Sequence, residues 1–472
     1  MLDFAIFAVT FLTVLLVAII WLYPSSKRVT TIPGLDPSTK EDGNLSDIAR
    51  AGSLHEFLQE THTTYGPITG FWWGQTYVVS IASPQLFKQH SAVFDRPVEL
   101  FKIFEPLIGP QSIQYTNGTD GRTRRQHYDR AFAHEKFPMY YEKFQKVAHS
   151  IEKTWLEKTS EDHIPLSEHM FTYAIKAALL TLLGESFSDD KLVLSFRNAY
   201  DKAWSEMEHR LTDPVIPDEK SLRMTQFNEA VKYLRTTIKK VIKHRQDKNL
   251  KKPANILIDD ILEFGPNEEA VECDTLTYMI GAFHTTANLL TWCFYFLATH
   301  KDIQDQVYQE LVQVLGDADT VSQATLSQLS YLNQVLEETL RCAVVAPWAA
   351  RFQDFDSELG GHKIPKGTPV IHAIGVVLQD ETIWPLPNKF DPDRFSPENS
   401  KQRGTYDFVP FGFAGKRKCP GHKFAYSEAA VLVTSLIRRF ELSLCDDQVV
   451  QPVYGLVTHP LDEVWVKVTR RS

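Results

Sequence analysis

Three features of the 472-residue sequence predict a mainly α fold with small β sheets, forming one catalytic domain behind an N-terminal transmembrane helix. Apolar residues recur at helical spacing from Glu135 to about Cys342, interrupted near Pro214 to Pro217 and at Pro253. Short alternating segments flank this helical body, at Ile68 to Ile81 before it and at Lys363 to Ile374 and Val449 to Val468 after it. Phe4 to Leu22 is almost entirely apolar and long enough to cross a bilayer as a helix.

The N-terminal run reads as a retained anchor over residues 1–23. A cleaved leader would place basic residues before a shorter apolar core, but here Asp3 precedes the run and Lys27 and Arg28 follow it. This orientation puts the amino terminus in the lumen and the rest of the chain in the cytosol, with Trp21 and Tyr23 at the membrane interface. Pro24 and Pro33-Gly34 make residues 24–45 a stiff hinge, and residues 46–472 form the catalytic domain. Within it, Ile68–Trp73, Gly74-Gln75 and Tyr77–Ile81 spell a β hairpin. Ser83-Pro84 opens a helix through Leu86, Phe87 and His90, with proline at a tolerated first-turn position. A basic stretch from Lys232 to Lys252, including Lys239, Lys240, Lys243, Arg245, Lys248, Lys251 and Lys252, is either a solvated helix face or a contact with an anionic lipid surface.

Composition narrows the function classes. A hydrophobic content of 43% and a charged content of 23% describe an ordinary globular chain, and a helical enzyme built around a large cofactor can hold this length in one domain. The net charge of −9 argues against nucleic acid as a partner, because phosphate binding requires concentrated Lys and Arg. Five cysteines, odd in number and widely spaced, imply a reducing compartment rather than a disulfide framework.

The chemistry concentrates in the last third of the chain. Phe408 to Gly421 is a glycine-rich turn that delivers Cys419 to the front of a long amphipathic segment. Lys416, Arg417, Lys418 and helix-start N–H groups would favour a thiolate there, which suits a ligand of heme iron. Taken singly, Cys419 reads equally well as a buried thiol beside a basic turn. Glu338 and Arg341 lie three apart on one face of a helix from about Leu329 to Cys342, and Arg394 follows in Phe390-Asp391-Pro392-Asp393-Arg394-Phe395. An E-x-x-R pair alone is usually solvated. With Arg394 and then the cysteine loop in this order, the three charged groups read as a buried triad, since interior charges persist only when paired and hydrogen-bonded.

Together these segments resemble the cytochrome P-450 superfamily through nearly the whole chain, and Gly281-Ala282-Phe283-His284-Thr285-Thr286 resembles its oxygen-binding helix. Met1 to Leu12, Gly52 to Leu58 and Gly375 to Asp380 are similar to family twenty, subfamily A. The resemblance implies the cytochrome P-450 fold, with Leu194 to Leu250 as two helices and a loop roofing a substrate cavity. It implies heme b (iron protoporphyrin IX) held by Cys419, with Arg417, Arg351 and also Arg124 and Arg125 at the propionates, His127 nearby, and Thr285 and Thr286 on the oxygen side. Two departures stand out: His284 occupies the usual place of a carboxylate, where it could shuttle protons, and Ala282 replaces a helix-kinking glycine. In the cysteine loop Phe411 lies eight residues before Cys419 and Phe413 six, where seven is usual. Either the loop bulges by one residue or a different side chain covers the sulfur.

What the resemblance implies is a heme-thiolate monooxygenase at the endoplasmic reticulum membrane, single-pass, with a cytosolic catalytic domain. It would act on a lipophilic small molecule, drawing electrons from NADPH through a flavoprotein reductase steered by Lys416, Lys418 and Lys423. Two alternatives stay open: a reductase-independent peroxide isomerase or dehydratase, and a heme- or lipid-binding protein with little turnover.

Overall fold

A computed structural model describes residues 10–15, 30–212, 217–247, 255–316, 318 and 321–471. The expected anchor and its interface residues lie mostly outside these, as do Lys248, Lys251 and Lys252; residues 10–15 are helical, and among the described residues no helix is long and apolar enough to cross a membrane.

Eight helices form the body: α1 (Phe137–Leu156), α2 (Leu166–Leu182), α3 (Asp190–Thr212), α4 (Leu222–Gln246), α5 (Glu268–Thr299), α6 (Lys301–Leu315), α7 (Ser330–Ala343) and α8 (His422–Arg439). α5 is the spine. It starts where the Asn267 side chain accepts from the Ala270 N–H, is buried along most of its length, and packs on α2, α4, α7 and α8. A helix apolar on all sides belongs in a core, and Cys293, Phe294 and Leu297 near its end have no exposure. α7 instead carries one apolar face, with Leu332, Val335 and Leu336 buried.

A smaller layer holds a four-stranded sheet in the order Ile68–Trp73, Thr76–Ile81, Val370–His372, Ala349–Arg351. The first two strands form the expected hairpin, closed at Gly74, whose φ of +57° suits glycine. Thr76–Ile81 then pairs in parallel with Val370–His372. The helix Pro84–Gln89 is capped by Ser83, which accepts from the Leu86 N–H. Lys363 to Ile374 holds the short strands His362–Ile364 and Val370–His372, separated by a turn at Lys366-Gly367 with Gly367 at φ +78°. Leu194 to Leu250 resolves into α3 and α4, which pack on each other. Arg245 stands apart from the rest of the basic stretch, since it is buried and bonded to both carboxylate oxygens of Asp259, at 2.8 and 2.6 Å.

Candidate active site

The charged triad frames the cysteine side of the molecule. Arg341 Nε donates to Glu338 Oε2 at 2.7 Å and its Nη2 to Oε1 at 2.8 Å, with neither side chain exposed. The remaining Arg341 hydrogens reach the carbonyls of Leu378 and Pro387, at 3.2 and 2.8 Å. Arg394 Nε lies 3.3 Å from Glu338 Oε1, and the Asp391 N–H donates to the same oxygen at 2.9 Å. One carboxylate thus ties α7 to the loop that precedes the cysteine segment. Both Glu338 oxygens accept hydrogen bonds, the condition for keeping an ion pair inside a protein, while Arg394 Nε adds an ionic contact without a hydrogen bond.

Beyond that loop the chain turns back on itself. The Cys419 N–H donates to the Phe411 carbonyl at 3.0 Å, and the intervening loop uses positive φ at Gly412 (+74°) and Gly415 (+57°). A Cβ on Gly415 would meet the Val93 carbonyl at 2.9 Å, so this glycine permits close approach of the loop to the Val93–Phe94 backbone. The loop bulges: Phe411 lines the cavity beside Cys419, while Phe413 turns away to stack on Phe87 and His372, both with ring centroids at 4.6 Å.

A cavity of about 360 Å³ separates the cysteine loop from α5. Cys419, Pro420 and Gly421 form one wall, and Gly281, Ala282, Thr285 and Thr286 another. Both threonine hydroxyls bond back to their own helix, Thr285 to the Gly281 carbonyl at 3.1 Å and Thr286 to the Ala282 carbonyl at 2.9 Å. Burial pushes the Cys419 thiol above its ordinary value, against the Gly421 N–H and the charges of Arg125 and Arg96. The cations that face the sulfur therefore come from distant segments, whereas Lys416 and Lys418 are exposed.

Arginines rim the same cavity. Arg96, Arg125, Arg351 and Arg417 all line it, yet only Arg125 has a carboxylate, Asp129, bonded at 2.9 Å. The buried Nε atoms of Arg96, Arg351 and Arg417 have no hydrogen-bond partner. Burial followed by repulsion from neighbouring arginines holds Arg351 down to about 9 and Arg417 to about 10, and depresses Arg96 as well. Like charges buried together without counter-ions call for an anionic occupant. Heme suits this lining: its two carboxylates would meet these guanidinium groups, and Cys419 would offer sulfur to the iron.

Arg96 has no signal in the sequence, standing in an irregular segment before Pro97 with no flanking motif. Arg124, its neighbour Arg125 notwithstanding, is not on the wall. It bonds to both carboxylate oxygens of Asp120, at 3.1 and 2.7 Å, lies 3.4 Å from Asp274, and belongs to a structural cluster. His127 stacks on Phe264 with centroids 3.6 Å apart.

His284 also faces away from the cavity. Its ring is 6% exposed and packs against Trp204, Phe171 and Tyr200 at 4.2, 5.2 and 5.6 Å, with neither ring nitrogen hydrogen-bonded. Burial, then the charge of His459, holds it down to about 3, and burial holds His55, His62 and His90 at about 4. Between pH 6.5 and these values the unfolded chain binds protons that the native state refuses. Stability from these groups is therefore complete above pH 6.5 and falls as the solution is acidified, by at most about 1.4 kcal/mol per pH unit for each histidine. His284→Phe is expected to lessen the fall in denaturation midpoint between pH 6.5 and 4; an unchanged pH dependence would mean that His284 protonates within the native fold.

The comparisons with known proteins agree with this geometry. Residues 33–464 match the family model described as Cytochrome P450. The chain is 38% identical over 473 residues to Cytochrome P450 20A1 of Mus musculus and 34% identical over 475 residues to that of Homo sapiens, covering 100% of both chains in each case. The crystal structure of cytochrome P450DA heme domain superposes with a TM-score of 0.81 at 20% identity, covering 93% of this chain and 98% of that one, a likeness of fold. With relatives matched from end to end and the family model spanning nearly all of the described fold, this chain belongs to the cytochrome P450 family and is an oxidoreductase of the monooxygenase class.

Proposed function

We propose that the protein is a membrane-anchored heme-thiolate monooxygenase that inserts one atom of O2 into a lipophilic small molecule, with electrons from NADPH through a flavoprotein reductase. The observation that carries this reading is the pairing of Cys419 with Thr285 across one cavity where Arg96, Arg351 and Arg417 stand without a bonded carboxylate. Bound heme would supply oxygen activation, and thiolate ligation favours O–O cleavage. The chain's own part is to hold, shield and supply protons. Cys419 provides the sulfur, and Arg96, Arg351 and Arg417 the positive rim. Thr285 moves a proton: its hydroxyl donates to the Gly281 carbonyl, and rotating away from that bond aims the hydrogen into the cavity.

Lys416, Lys418 and Lys423 are exposed around the cysteine segment, where an acidic redox partner would be steered onto the face nearest the sulfur. The apolar run Phe4 to Leu22 supports anchoring in the endoplasmic reticulum membrane with a cytosolic domain, and the basic face of α4 would lie toward anionic lipid. The peroxide-rearranging alternative leaned on His284 within the relay; its ring packs outside the cavity, which removes that support.

Purified protein reduced under carbon monoxide is expected to show a thiolate-type Soret band and substrate-dependent NADPH consumption with reductase. Peroxide turnover without reductase, and none with it, would overturn the monooxygenase reading. Thr285→Ala is expected to keep NADPH consumption while product formed per NADPH falls by up to about 100-fold; unchanged coupling would remove Thr285 from proton delivery.

A further inference from the structure

A second cavity, of about 260 Å³, lies beside the first, between α3, the helices Leu45–Ala51 and Leu54–Tyr65, and the Pro452–Tyr454/Thr458–Pro460 hairpin. Its walls include Leu54, Trp73, Trp348, Tyr454, Glu208 and His459. Trp348 lines both cavities and is held by stacking on Phe101 at 5.3 Å, so one ring forms the partition between them.

Glu208 is the anomaly here. It sits near the end of α3, its Oε1 is buried, and that oxygen accepts no hydrogen bond. The facing imidazole, His459, keeps its Nδ1 3.8 Å away and directs that atom to the Val457 carbonyl at 3.1 Å. One turn earlier on α3, the Trp204 indole N–H faces this same carboxylate and favours its charged form, but its buried Nε1 closes no hydrogen bond of good geometry. Burial raises Glu208 above the ordinary carboxylate range, as for an acid whose counter-charge is incomplete. His209 is the other wall residue able to carry positive charge.

A buried acceptor left unsatisfied in a native fold needs a partner. The surrounding wall says which kind. An anion would meet Glu208, and a neutral apolar molecule would leave it unpaired. A cation with an apolar body satisfies the carboxylate and is attracted to the faces of Trp73, Trp348 and Tyr454. We propose that Glu208 holds the ammonium end of an elongated lipophilic amine in this second cavity, while the apolar body passes Trp348 into the Cys419 cavity. Only the reach into the Cys419 cavity rests on the function proposed above; the ammonium site stands on its own geometry.

The test uses the full-length holoenzyme and three probes of equal chain length below their micelle concentrations: dodecylammonium, dodecanol and dodecanoate. Calorimetry reads binding, and the Soret band reads arrival at the heme, a shift to shorter wavelength marking the tail and a shift to longer wavelength marking nitrogen on the iron. The cation is expected to bind at least about tenfold more tightly than dodecanoate or dodecanol, and to shift the Soret band through its tail. Glu208→Gln should bring the three probes within about twofold of one another, and His459→Gln should tighten the cation, with the carbon monoxide spectrum unchanged in both. Equal binding of the three probes by the native protein, or a cation preference that survives Glu208→Gln, overturns the ammonium site. Tight, Glu208-dependent binding with no Soret change, where dodecanol produces one, overturns the shared path past Trp348. A heme lacking the thiolate signature counts against the proposed function, while calorimetry still decides the site at Glu208.

Discussion

Cys419→Ala is expected to abolish the thiolate-type Soret band of the reduced carbon monoxide complex and, with it, all NADPH-dependent product formation. No other side chain can take over. Cys419 is the one cysteine on the cavity wall, and Cys273, Cys293, Cys342 and Cys445 lie elsewhere in the fold. The loop gives little freedom to recruit a substitute, because it is pinned by the Cys419 N–H on the Phe411 carbonyl and the Gly415 N–H on the Ser91 carbonyl at 2.6 Å. Heme retention is expected to fall as well, leaving the guanidinium rim as the main hold on the group. Cys445→Ala serves as the control, with an intact spectrum expected. Should Cys419→Ala keep the native band, the sulfur would not be the ligand and the proposed function would fall with it.

Glu338→Gln is expected to carry the largest cost in stability, on the order of 3–5 kcal/mol, because it leaves the buried guanidinium of Arg341 without its counter-charge. Two arginines and one backbone N–H converge on this carboxylate, so its loss frees α7 from the Pro392–Phe395 turn at the same time. Arg341→Lys is expected to lose most of the same energy despite keeping the charge. A single ammonium cannot reproduce two parallel bonds to Glu338 together with bonds to the Leu378 and Pro387 carbonyls. Urea denaturation of the purified variants, with heme content measured alongside, checks both. A midpoint within error of the native protein for Glu338→Gln would show that the triad is dispensable to the fold.

Features that depend on near neighbours in the chain were legible in advance. The three-residue spacing of Glu338 and Arg341 puts both on one helical face whatever surrounds them, and the helix expected from Leu329 to Cys342 forms over Ser330–Ala343. The hairpin at Gly74 and the Ser83 cap are likewise local, resting on a positive φ and on one hydroxyl within reach of a nearby N–H. Adjacent residues were harder to separate. On a helix, neighbours point about 100° apart, so two adjacent residues share a cavity only when it spans that arc, as Thr285 and Thr286 do, and Arg124 and Arg125, or His284 and Thr285, are split. Which of each pair does so depends on how the helix is rolled against its neighbours. Asp120 and Asp274 hold Arg124 on the far side, and the rings of Trp204, Tyr200 and Phe171 hold His284.

The sequence by itself determined the helical body with its small sheets, the buried pairing of Glu338 with Arg341, and a cysteine presented on a glycine-rich loop. Periodicity, capping and positive-φ glycines act over a few residues and carry their own spatial meaning. Only the tertiary structure decided that Arg96 joins the rim, that Phe411 rather than Phe413 stands by the sulfur, and that Glu208 closes a second cavity beside Trp348. Each of these turns on a contact between segments far apart in the chain, where side-chain direction is set by packing and by the hydrogen bonds left unmade, and neither is written in local spacing.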